Sequence, residues 1–177
     1  MPTAPDKIEL SDDELRALTG YAATCASRTL PIFEQTPPTD PRPREAIAAA
    51  RAFAGGGRRT NALRQSAWAA FRAARGATSP AAADAARAAS HAAGAAFLHP
   101  LANAHQVKHV LGAAAHAARA EELAAVADRC VTAGTLDWAR HHAPPAVRAV
   151  LARLPAAPPG GGRVGELMRA LDAALRA

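Results

Sequence analysis

From Ala81 to Ala96 the chain reads AAADAARAASHAAGAA, a stretch in which few side chains are large enough to fill space. Alanine is the strongest helix former and has little side-chain area to bury. Such a helix suits a central position, where other helices approach its backbone closely on several sides. Ser79-Pro80 supplies an N-cap followed by proline at the first helical position, so this helix should run to about Leu98. Half of all residues are apolar, but alanine provides most of them and aromatics make up only 4%. Almost no run alternates Val, Ile, Thr or Tyr as a strand would. The expected fold is all-α, a compact single-domain bundle of about seven to nine helices with close alanine packing.

The remaining helices follow from caps and breakers. Residues 1–10 read as a loose arm. Ser11-Asp12-Asp13-Glu14 is a capping box for a helix carrying Leu15, Leu18, Ala22 and Cys25, which Pro31 should kink or end. The rigid connector QTPPTDPRPRE leads to a second helix, capped by Asp40-Pro41 and closed by three glycines after Ala54. A third runs from Asn61 to Arg75. Beyond the alanine run, Pro100 can open a helix from Leu101 to Ala118. Another helix is expected from Glu121 to Ala133, ended by Gly134. Short helices then end at His142 and Leu154. This places the main domain at residues 11–154, a Pro/Gly linker at 155–163 and a C-terminal amphipathic helix at 164–177 that docks on the domain.

The most chemically loaded stretch is the helix after Pro100. On a helical wheel Val107, Val110, Leu111, Ala114 and Ala118 form an apolar seam, while His105, His109 and His116 gather opposite, around Gly112. His105 and His109 have the i, i+4 spacing that lets two imidazoles approach one metal or anion. The residues between them are Gln106, Val107 and Lys108, which offer no acidic general base, and no third metal ligand is evident. No metal or other cofactor is expected. If the preceding helix folds back antiparallel, His91 comes level with His109, with His105 assisting and His116 beyond. The face is then either a set of buried helix contacts or a His-lined cleft for a partner or small ligand.

A second face lies on the third helix. Leu63, Ala67, Ala70 and Ala74 make a thin apolar side, and Arg64, Trp68, Phe71, Arg72 and Arg75 gather on the other. No acidic residue occurs from Ala46 to Ala83. An aromatic pair framed by arginines can grip an acidic protein surface or stack on bases. Alternatively the two rings are core, with arginine stems covering their edges.

The formal net charge is +6, yet nearly all the cations are arginine, with Lys7 and Lys108 the only lysines. In a chain rich in Ala, Gly and Pro this reflects GC-rich coding as much as function, so nucleic acid is not the expected partner. Cys25 and Cys130 stand far apart and read as buried apolar side chains. With no signal core and no membrane-length apolar run, the chain reads as cytoplasmic and soluble. Glycines lack a phosphate-loop context, and serines and cysteines lack nucleophile motifs.

Two segments carry a resemblance. Cys25-Ala26-x-Arg28-x-Leu30-Pro31-x-Phe33-Glu34, followed by Asp40-Pro41-Arg42-Pro43-Arg44, is the first. His105-x-x-x-His109-x-Leu111-Gly112-Ala113-Ala114 is the second. Together they resemble the Imm-5-like immunity proteins of bacterial polymorphic toxin systems, over roughly residues 10 to 130. The resemblance implies an all-helical domain without enzymatic activity that binds and neutralises a toxin. A basic chain makes a nuclease an unexpected target, because nuclease blockers are often acidic. The alternative is a small-molecule-binding protein or helical enzyme of a biosynthetic pathway, with His91, His105 and His109 as acid, base or ligand contacts.

Overall fold

The alanine run forms helix α4 (Pro80–Gly94), continued by a 3-10 turn at Ala95–Phe97. Ser79 Oγ accepts the Ala82 N–H at 3.1 Å, and Pro80 starts the first turn. Ala82, Ala86, Ala88, Ala89, Ala92 and Ala93 are all fully buried. Small side chains let α1 (Asp12–Glu34), α3 (Asn61–Arg75) and α5 (Val107–Ala124) close in on α4. Helix α2 (Arg42–Ala54) packs on α1, α3 and α4, and α6 (Arg129–His142), α7 (Pro145–Arg153) and α8 (Gly162–Arg176) complete the bundle. This computed structural model describes residues 6–35, 40–125 and 129–177, with side chains described throughout these except at 129–133. Among the described residues the fold is eight α-helices with no strand, and no helix is long and apolar enough to cross a membrane. Part of the connector before α2 and the side chain of Cys130 lie outside the described residues.

The structure departs from these local expectations at several places, mostly for tertiary reasons. Helix α1 does not end at Pro31 but runs to Glu34, where the fully buried Phe33 anchors its last turn. Helix α5 starts at Val107 rather than Leu101. Leu101 pairs with Lys7 instead, while Ala102 N–H donates to Asp6 at 2.7 Å and Ile8 N–H to Pro100 at 3.1 Å. Asn103 then caps a separate 3-10 turn, Ala104–Gln106, by accepting the His105 N–H at 2.8 Å. The described part of the N-terminal arm is therefore held down. Helix α6 runs on through Gly134. An interior glycine costs only about 1 kcal/mol, and burial of Thr135 and Ala139, with Tyr21 Oη donating to the Ala139 carbonyl at 3.0 Å, outweighs it.

The segment between α7 and α8 is tied to α8. Asp172, almost fully buried, accepts the Ala157 N–H at 2.9 Å and pairs with Arg176 at 2.7 Å. Arg176 also donates to the Leu154 carbonyl, and Arg169 to those of Pro158 and Gly160. Gly160, Gly161 and Gly162 all hold positive φ, which side chains resist, so the turn depends on glycine. The Pro/Gly segment is thus hydrogen-bonded to α8 at several points. Leu167, Leu171 and Leu175 seat α8 on the bundle.

Candidate functional site

Helices α4 and α5 set the histidines. His91, on α4, is level with Gly112 of α5, where a Cβ atom would lie 2.5 Å from the His91 Nδ1. The missing side chain therefore makes room for the imidazole. His91 stacks on His116 with ring centroids 5.0 Å apart and planes inclined by 22°. His116 Nδ1 lies 2.7 Å from Oδ1 of the buried Asp84. A carboxylate only accepts, so Nδ1 carries the proton in this contact. Burial, aided by the charges of His116, His109 and Lys108, pushes the His91 imidazole down to about 3, against a backbone hydrogen bond with Lys108. That ring is neutral at ordinary pH.

These rings line a cavity of about 660 Å³. Its α4–α5 side carries Arg87, His91, Lys108, His116 and Arg119, with His105 at the exposed 3-10 turn. The facing side is Pro158–Gly161 with Val164 and Met168. His109 does not line it. Its imidazole bonds to the Gly94 backbone, and burial and then Lys108 lower its pKa. The expected order, His91 with His109 and His116 last, is therefore reversed in space. His105 also leaves the helical face assigned to it, because the chain at 101–106 is not α-helical. Asp84 and Arg87 escaped the sequence reading, although Asp84, Arg87 and His91 stand at i, i+3 and i+7 of one helix face. Among the described residues no cluster of His, Cys, Asp or Glu could hold a metal.

The α3 face is also assembled. Leu63, Ala70, Ala73 and Ala74 are its buried side, leaving no room there for large rings. Trp68 is 58% exposed and Phe71 40%, the two exposed large apolar side chains among the described residues. Their rings meet edge to face at 6.0 Å. The core reading of these rings is thus corrected. Arg64 lies over the Phe97 ring at 4.5 Å, and Arg72 and Arg75 are exposed at the end of the helix. Among the described residues none of these three arginines pairs with a carboxylate.

The model of the family described as Imm-5 like putative immunity protein matches residues 9–145. The chain belongs to this family. No curated protein and no solved structure matches it. In this immunity-family chain the arginine-rich motif is structural. Arg44 pairs with Glu34 at 2.5 Å and Arg42 with Asp40 at 2.6 Å, fastening the two ends of the connector between α1 and α2. Arg28 reaches Glu121 of α5 at 3.2 Å and lies 4.2 Å over the Trp138 ring of α6. Burial pushes the Cys25 thiol up to about 12, so it packs rather than reacts. The α3 face and the α4–α5 side of the cavity lie within the matched residues, and the 158–168 wall lies beyond them.

Proposed function

We propose that this immunity-family protein neutralises a toxin by binding it through the α3 face, without chemistry of its own. The observation that carries the proposal is the exposure of Trp68 and Phe71 in a chain otherwise so short of aromatic rings. Tryptophan and arginine dominate the energetics of protein contacts, because they combine large apolar area with fixed polar geometry. Arg64, Arg72 and Arg75 share the helical face of the rings by spacing, and no acidic residue occurs from Ala46 to Ala83. The matching partner surface is acidic with an apolar centre, and charge of this kind speeds encounter as well as selecting the partner.

The test uses the toxin encoded by a neighbouring reading frame. Trp68→Ala combined with Arg72→Glu should weaken binding by roughly 2–4 kcal/mol and abolish protection of cells expressing the toxin, with the melting temperature nearly unchanged. Full protection by that variant refutes the α3 assignment, and failure of the wild-type chain to protect refutes neutralisation itself. A retardation assay with nucleic acid should show no salt-sensitive shift, since the basic face is assigned to protein.

A further inference from the structure

We infer that the cavity between α4, α5 and the 158–168 segment binds a small organic anion, its charged end at Lys108 and Arg87 and its apolar body against Val164 and Met168. The volume of about 660 Å³ suits one small molecule rather than a polymer. Four permanent cations line it, and two of them are already neutralised. Arg119 pairs with Glu122 at 2.5 Å, and Arg163 pairs with Glu122 at 2.6 Å and Glu166 at 3.0 Å. Lys108 is exposed and has no ion pair among the described residues. Arg87 has only Asp84 at 3.6 Å, beyond a good hydrogen bond, while His116 holds the same carboxylate oxygen more tightly. Among the described residues Lys108 is therefore unpaired, and Arg87 only loosely paired, at one wall of a concave site that Asp84 also lines. An anionic ligand satisfies both.

The other lining groups fix how such a ligand would sit. Asp84 accepts from His116 Nδ1, which leaves Nε2 as that ring's other hydrogen-bonding atom. His91 stacks on the same ring and is kept there by the space over Gly112. Arg169 bonds to the carbonyls of Pro158 and Gly160, so the opposite wall is formed before anything binds. Pre-formed walls spare a ligand the entropy of ordering them.

Calorimetric titration of the full chain near neutral pH, with phenyl phosphate, benzoate, inorganic phosphate and phenol, tests this. Saturable binding of phenyl phosphate or benzoate at one site per chain is expected, with the stronger of the two revealing whether the charged end favours phosphate or carboxylate. Inorganic phosphate and phenol, each lacking one half, should bind at least roughly tenfold more weakly. Lys108→Gln with Arg87→Gln should weaken the aromatic anions by roughly tenfold or more, while the thermal unfolding of the variant stays that of the wild type. Absence of saturation with both aromatic anions overturns the proposal. So does equal affinity of the double variant, or equal binding of phenol.

Discussion

Gly112 and His91 form a pair in which each residue is intelligible only through the other. Replacing a helix-interior glycine by alanine ordinarily gains up to about 1 kcal/mol. Here the new methyl would meet not only Nδ1 but Cγ at 2.9 Å and Cε1 at 3.0 Å, against a ring backed by His116. Gly112→Ala should therefore destabilise by about 1–3 kcal/mol in urea titrations, and the double variant with His91→Ala should recover most of that loss. Strict additivity of the two changes would show that they do not touch. The same ring has a pH signature. Its folded-state pKa lies below the ordinary 6.5, so below that pH the unfolded chain takes up a proton that the native chain refuses. Stability should thus fall as pH drops from about 6.5 toward 3, by at most about 1.4 kcal/mol per pH unit for each such imidazole. His109 adds to the slope, since its pKa is lowered too. His91→Gln should flatten the stability–pH curve between about pH 6 and 4, and an unchanged slope would mean that the ring is solvated.

At the scale of elements, α8 is held by its polar contacts as much as by its leucines. Removing the Asp172 carboxylate would orphan the Ala157 N–H and leave Arg176 with backbone carbonyls alone. Asp172→Ala should cost about 1–3 kcal/mol, chiefly for the Ala157 N–H left without its acceptor. Hydrogen exchange should speed up first at Ala157. Slow exchange there in the variant would show that the leucines suffice. These polar ties were the least legible part of the sequence. Caps or apolar spacing announce α1, α3, α4 and α8, because Ser11, Ser79 and the apolar seams act within one or two turns. The start of α5 was hidden because it depends on Lys7 meeting Leu101, and on Asn103 capping a turn of its own. Trp68 and Phe71 were ambiguous for a similar reason. Spacing shows that they share a face, but only the alanine contacts of α3 with α4 decide that this face points outward.

The whole molecule is organised by small residues, and its core extends past the family match. Val147, Val150 and Leu151 of α7 are fully buried, as is Leu171 of α8. A chain cut after His142 would expose the apolar surface these side chains cover and remove one wall of the cavity. It should lose cooperative unfolding, measurable by calorimetry, whereas a sharp transition at the full-length temperature would show residues up to 142 to be self-sufficient. The sequence made the helical class, the family and the histidine-bearing wall legible, but it could not reveal the cavity's second wall, which comes from a segment far away in the chain. The two tryptophans offer a last consequence. Trp68 stands 58% in solvent, whereas Trp138 is in contact with the Arg28 guanidinium, at 4.2 Å, and the His142 ring, at 4.0 Å. The chain therefore carries two indole fluorophores in unlike surroundings. Iodide should quench the first far more than the second. A protein settling on α3 will shift the Trp68 emission toward the blue and leave that of Trp138 in place, so light alone can separate docking from unfolding.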